Sequence, residues 1–287
     1  MTPERWLAVT VTCPSDDLAR FVAEGLVALG AGGVEELPGA IRAWLPCPPG
    51  GERQQAEAVR TAMREHTGHD LHIDWSVAAD TDWMAQWRRG LRPRRVGERL
   101  VVAPTWTKPD LRPGDVLLTI DPEMAFGTGE HATTRGMLRL LERSPVEGAS
   151  VLDVGTGSAI LAIAAALLGA RHVDAAESDP DALLNARDNV TRHGVADRVR
   201  LLQALVDPVW LERAGGYDII LANILSSVIV PLLPAFGQAL RPGGALLVSG
   251  ILQTEASLVA GAAMAAGFAT QIEDREDEWW SAYLVSV

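Results

Sequence analysis

The chain has 287 residues, 48% of them hydrophobic, and a formal net charge of -12. That length allows a sizeable core in one large or two modest domains, and the acidic balance excludes a general nucleic-acid binder while suiting a basic protein partner. No apolar run approaches the roughly 20 residues that span a bilayer. The N-terminus lacks a basic segment followed by an apolar stretch, and Cys13 and Cys47 lack metal-ligand spacing. A cytoplasmic protein with no membrane segment and no metal is expected, and it is read as a monomer.

Residues 1–77 read as a first domain. Residues 6–12 alternate like a strand, and Ser15-Asp16-Asp17 is placed to cap a helix that the glycines of residues 30–33 end. Residues 34–37 and 41–45 pair around Pro38-Gly39, residues 52–65 are helical, and residues 71–77 form a last strand. The order β-α-β-β-α-β is ferredoxin-like and suits a docking module.

Residues 78–95 read as a linker helix. Asp80-Thr81-Asp82 would cap it, and Trp83 and Trp87 share one face. That pair is read as packing against a domain rather than as a substrate contact. Arg88, Arg89, Arg92, Arg94, Arg95 and Arg99 form a basic cluster, expected to be a solvated face rather than an RNA site in so acidic a chain.

Residues 96–287 read as a second domain. Residues 100–103 and 116–120 look like strands. Helices then alternate with apolar strands at 151–154, 173–176, 199–202, 219–222 and 245–249. The alternation implies a mostly parallel α/β sheet covered on both faces, with ligands beyond the carboxyl ends of its strands. Arg241-Pro242-Gly243-Gly244 is read as a turn, and the acids Glu273, Asp274, Glu276, Asp277 and Glu278 as a solvated hairpin.

The strongest chemical signal is Asp153-Val154-Gly155-Thr156-Gly157-Ser158, with Glu177 ending the next strand. A strand, a glycine turn, a helix and a second strand ending in a carboxylate together hold a nucleoside. Glycines admit close backbone approach, and the acid grips ribose hydroxyls. A dinucleotide fold would want a third glycine where Ile160 stands. Asp153 would repel a pyrophosphate but suits the ammonium of S-adenosylmethionine. The alternative is a tight turn that binds nothing.

Two further segments add to this. Phe126, Gly127, Thr128, Gly129, Glu130, His131, Ala132, Thr133 and Thr134 precede the first parallel strand, and their glycines, hydroxyls and histidine favour close approach to a ligand. A helix cap at Thr133-Thr134 is the plain alternative. Asn223 ends the strand at 219–222, where the residue nearest a transferred methyl is expected. Ile224 and Leu225 follow it in place of prolines, which argues against a planar nucleobase or amide target and permits an aliphatic amine.

With these segments the chain resembles the ribosomal protein L11 methyltransferase family (PrmA). The resemblance runs through Trp83-x-x-x-Trp87, Pro104-Thr105-Trp106, the Phe126–Thr134 loop, Asp153–Ser158, Ala222-Asn223-Ile224, Ser249-Gly250-Ile251-Leu252 and Glu278-Trp279. It implies a class I (Rossmann-like) methyltransferase domain behind a small α+β ferredoxin-like domain for substrate recognition. It implies S-adenosylmethionine as cofactor, with contacts at Thr134, Gly155, Glu177 and Asn223; Phe126, Gly127, Thr128, Asp153 and Gly157 are expected beside it. Asn223 and His131 are the expected catalytic residues. The acceptor it implies is an amino group of ribosomal protein L11, a lysine side chain or the α-amine. The alternatives are another protein lysine, a small-molecule amine, or a non-catalytic S-adenosylmethionine-binding module. The chain departs from the family at Ala159, where a third glycine is usual, and at Glu177, where Asp is usual.

Overall fold

Alternation of apolar residues in the first strand sets the smaller of two units. The computed structural model describes residues 5–47, 50–79, 92–121 and 129–287. The chain divides into two compact units, Met1–Leu91 and Arg92–Val287. In the first, β1 (Arg5–Thr12), α1 (Asp16–Ala28), β2 (Gly33–Leu37), β3 (Ala40–Pro46), α2 (Glu52–Thr67) and β4 (Ile73–Ala79) follow in order. Leu7, Val9 and Val11 are fully buried and cluster with Val22, Leu26, Val59 and Met63 of the two helices. Each such side chain contributes about 1.5–3 kcal/mol. The sheet is antiparallel in the order β2-β3-β1-β4, the ferredoxin-like arrangement expected. Ser15 caps α1 by accepting from Leu18 N at 3.3 Å. Residues 80–91 lie outside the described residues, and with them the cap at 80–82, Trp83, Trp87, Arg88 and Arg89.

The second unit opens with a three-stranded sheet, β5 (Arg94–Val96), β6 (Leu100–Ala103) and β7 (Val116–Thr119). Then come α3 (Ala132–Glu142), β8 (Ser150–Val154), α4 (Ile160–Leu167), β9 (His172–Glu177), α5 (Pro180–Arg192), β10 (Val199–Gln203), α6 (Pro208–Ala214), β11 (Tyr217–Asn223), α7 (Ser226–Ala239), β12 (Leu240–Leu252), α8 (Ala256–Ala265), β13 (Phe268–Glu276) and β14 (Trp279–Ser286). The large sheet has the order β10-β9-β8-β11-β12-β14-β13. It is parallel except for β14, which runs against both β12 and β13. All five residues of β8 are buried, because helices cover both faces. One hydrophobic cluster joins one face to α3, α4 and α5, and a second joins the other face to α6, α7 and α8. The strand order reverses between β8 and β11, and the crevice beyond their carboxyl ends is where such sheets bind ligands.

One expectation is corrected outright and one in part. Residues 241–244 lie within β12 as a bulged bend, with Tyr217 opposite Leu240 but Ile219 opposite Ala245. Of the basic cluster, Arg92, Arg94 and Arg99 are exposed as expected, while Arg95 pairs with Asp115 at 2.5 Å, Arg94 with Glu130 at 3.5 Å, and Arg99 Nε donates to Gly114 O at 3.0 Å. The acids before Trp279 are a solvated hairpin only in part: Glu273, Asp277 and Glu278 are exposed, but Arg139 pairs with Asp274 at 2.5 Å and with Glu276 at 2.7 Å, and Arg135 pairs with Glu276 at 2.5 Å.

Candidate active site

Beyond β8 the chain turns sharply through left-handed positions at Gly155 (φ 68), Gly157 (φ 53) and Ala159 (φ 65). Gly155 and Thr156 donate their N–H groups to Ala176 O at 2.9 and 3.0 Å, tying the turn to β9. A Cβ on Gly155 would stand 2.8 Å from Ile224 Cγ2, so glycine lets the turn approach the end of β11.

Two carboxylates brace this turn. Glu177 accepts from Gly157 N at 3.0 Å through one oxygen, and from Ser178 N and Asp179 N at 2.8 and 3.1 Å through the other. Asp153, buried behind the turn, accepts from Thr156 Oγ1 and from Ala162 N. Burial pushes its carboxyl up to about 7, and the charge of Glu177 adds to the rise against those two hydrogen bonds. A raised carboxyl stabilises the fold while protonated. That contribution is present below the ordinary value of 3.8 and is lost as pH rises through about 7. We expect this contribution to be lost from the cofactor-free protein between about pH 4 and pH 7. Asp153→Asn, uncharged throughout, should flatten this loss. Parallel urea-unfolding curves for the two proteins across that range would contradict it.

Ala159 keeps its methyl fully buried in the α3–α5 cluster. A non-glycine residue in this conformation costs about 1–2 kcal/mol, while a buried methyl returns about 0.8 kcal/mol. Ala159→Gly should therefore change stability by less than about 1 kcal/mol, and Ala159→Val should cost more than about 2 kcal/mol by overpacking; thermal unfolding of the two variants checks both.

A cavity of about 290 Å³ lies beside this turn, lined by His131, Thr133, Asn223, Ile224, Leu225, Gly250 and Trp279. Asn223 ends β11, and its Oδ1 is buried with no hydrogen-bond partner among the described residues. Thr134 Oγ1, fully buried in the first turn of α3, is in the same condition. Such groups cost roughly 1–3 kcal/mol each when left unsatisfied, so each has an unused capacity to accept a hydrogen bond. Gly250 (φ 81) is required, because a Cβ there would meet Ile224 O at 2.4 Å.

His131, rather than Thr133 or Thr134, is the N-cap of α3. Its Nδ1 accepts from Thr133 N at 3.4 Å and lies 2.7 Å from Thr133 Oγ1. An accepting Nδ1 puts the proton of the neutral ring on Nε2. Burial and the charge of Arg135 hold the ring below its ordinary pKa against the opposing pull of Glu278. Its ring meets that of Trp279 edge-on, with centroids 4.9 Å apart.

Of the residues expected from the sequence, His131 and Asn223 line the cavity, while Asp153, Gly155, Gly157 and Glu177 form the adjoining turn. Phe126, Gly127 and Thr128 lie outside the described residues. Three contributors had no site role assigned from the sequence, although Gly250 and Trp279 lie in motifs that carry the resemblance. Trp279 and Gly250 wall the cavity, and Asn189, almost fully buried, donates to Ser158 O at 3.0 Å and anchors the turn to α5. Asn189 carries no sequence signal, since a polar residue in a helix reads as surface until its partner is known.

The glycine turn, the two carboxylates and the two unsatisfied oxygens fit an S-adenosyl nucleoside. Comparison with known proteins agrees. Residues 50–286 match the family described as ribosomal protein L11 methyltransferase (PrmA). The chain is 35% identical over 303 aligned positions to the ribosomal protein L11 methyltransferase of Pelotomaculum thermopropionicum, covering 96% of each chain. It is 41% identical over 250 positions to that of Symbiobacterium thermophilum, covering 85% of this chain and 79% of the relative. Among solved structures it resembles the ribosomal protein L11 methylase of Lactobacillus delbrueckii subsp. bulgaricus, with a TM-score of 0.62 and 28% identity over 68% of this chain and 98% of that one. The chain belongs to the ribosomal protein L11 methyltransferase family.

Proposed function

We propose that this chain transfers methyl groups from S-adenosylmethionine to amino groups of ribosomal protein L11, lysine side chains or the α-amine. As a member of its family it is a methyltransferase that depends on S-adenosylmethionine. The observation that carries the amine reading is the buried, unsatisfied Oδ1 of Asn223 in the wall of a largely apolar cavity. Residues 1–77 would recognise the substrate, residues 78–95 would link, and residues 96–287 would carry the chemistry. The protein would work as a monomer in the cytoplasm, with no stable nucleic-acid partner. Among the described residues, no helix is long and apolar enough to cross a membrane.

When bound, the cofactor supplies a methyl already activated by its sulfonium. Glu177 would hold its ribose hydroxyls, with Asp153 toward its ammonium and Thr134 and the Gly155 and Gly157 backbone alongside. What remains for the protein is alignment and desolvation of the acceptor. A free lysine has a pKa near 10.4 and must arrive neutral. Ile224, Leu225 and Trp279 give the acceptor apolar surroundings, which disfavour its charged form. Asn223 Oδ1 accepts a hydrogen bond from the neutral amine and aims its lone pair. His131, with Nδ1 engaged by Thr133, shapes the wall. The acceptor's proton leaves to water.

The substrate class is tested by incubating the protein and methyl-labelled S-adenosylmethionine with a ribosomal extract and, separately, with a metabolite extract. Label entering a ribosomal protein supports the reading. Label confined to the metabolite extract would replace it with a small-molecule amine.

A further inference from the structure

The five acids before Trp279 fall into two groups. Glu273 pairs with Arg275 at 2.9 Å, Asp274 with Arg139 at 2.5 Å, and Glu276 with Arg139 and Arg135 at 2.7 and 2.5 Å. The side chains of Asp277 and Glu278 have no hydrogen-bond or ion-pair partner among the described residues, so two negative charges are left uncompensated on the turn between β13 and β14. That turn is pinned rather than loose. Asp277 adopts φ 51, Gln253 N donates to Glu278 O at 2.8 Å, and Gln253 Nε2 donates to Asp277 O at 2.6 Å.

The next residue is Trp279, which walls the cavity and meets His131 edge-on at 4.9 Å. Glu278 is exposed and directly precedes Trp279 in the pinned turn. An exposed carboxylate is therefore held next to a residue of the cavity wall, while a neutral amide, Asn223, lines the cavity itself.

We propose that Glu278 is the outer recognition residue for the acceptor, capturing the ammonium form of a lysine side chain at the mouth before the neutral amine moves inward to Asn223. This rests on the amine-transfer reading above. The two positions suit opposite demands. An amine in water is cationic, and an exposed carboxylate draws it in through a field that salt screens. Inside, a carboxylate would keep the proton on the nitrogen, and an amide does not. The separation also disfavours hydroxyl and amide acceptors, which bring no charge to the mouth.

The test is steady-state kinetics of Glu278→Gln on purified ribosomal protein L11, with Glu273→Gln as control and Glu278→Asp as conservative rescue. For Glu278→Gln, KM for the protein substrate should rise about 3- to 10-fold at low ionic strength, with kcat and cofactor affinity unchanged. The difference should shrink at high salt, Glu278→Asp should recover most of the loss, and Glu273→Gln should match wild type. An unchanged KM in an active enzyme, or a salt-insensitive fall in kcat, would overturn the proposal alone. A wild type that transfers no methyl to ribosomal protein L11 would overturn the functional reading, and the proposal with it.

Discussion

Asn223→Asp is expected to reduce kcat about 100-fold near neutral pH, although Asp can still accept a hydrogen bond. A carboxylate within hydrogen-bond reach raises an amine pKa by about 1–3 units, and the fraction of neutral acceptor falls in proportion. The loss should recover as pH rises, so the kcat–pH profile of the variant should be displaced to higher pH. Asn223→Ala removes the acceptor without adding charge. It should lower kcat more than cofactor affinity and leave the profile where it is, because only alignment is lost. Equal loss of turnover and cofactor affinity would sink the proposed role, and a kcat–pH profile shared by Asn223→Asp and wild type would remove the electrostatic argument. The comparison is informative because Oδ1 of Asn223 has no internal partner, so the substitutions break no existing hydrogen bond to it.

The second large effect concerns stability. Arg139→Ala should destabilise the protein by about 2–4 kcal/mol, because it leaves Asp274 without its cation and strips one of two from Glu276. Both carboxylates are mostly buried, with side-chain exposures of 20% and 28%. The network joins α3 to β13 and also holds the chain entering the site, since Arg135 donates to Glu130 O next to His131. Burial raises the pKa of Glu276, but its hydrogen bonds to Arg135 and Arg139 outweigh this and lower it overall. A lowered carboxyl contributes stability above its ordinary value of 4.5 and loses it as pH falls through the folded value. Wild type should therefore unfold in acid more steeply than the variant, and the stability gap between them should narrow below about pH 4. Urea midpoints across that range measure it. A gap of less than about 0.5 kcal/mol at neutral pH would mean that the network is surface decoration.

These two sites differ in how far the sequence revealed them. The turn from Asp153 to Ser158 and its companion Glu177 were legible because the unit is local: strand, glycines, helix and carboxylate occur in chain order, and each has a backbone reason. Asn223 was legible because it ends an apolar strand. The ferredoxin-like unit was readable from alternation in β1 and β3 and from punctuation at Ser15 and Gly39.

What was missed depends on distant partners. Arg135 and Glu276 are 141 positions apart, so the acids of β13 read as solvated until α3 is seen beside them. β13 itself carries mostly polar, exposed residues because it is an edge strand, and it lacks the apolar alternation that identifies β1. Trp279 becomes a cavity wall only when β14 inserts between β12 and β13 and brings it to His131. His131 was expected at the site, but its place as the helix cap was not legible, because the neighbouring threonines carried the stronger capping signal.

The most direct test of the account is intact-protein mass spectrometry of purified ribosomal protein L11 after incubation with this protein and S-adenosylmethionine. The account predicts mass gains in steps of one methyl group, located by fragmentation at amino groups, and a much slower gain with Asn223→Asp at neutral pH. No gain from wild-type protein whose cofactor binding has been verified by calorimetry would contradict it.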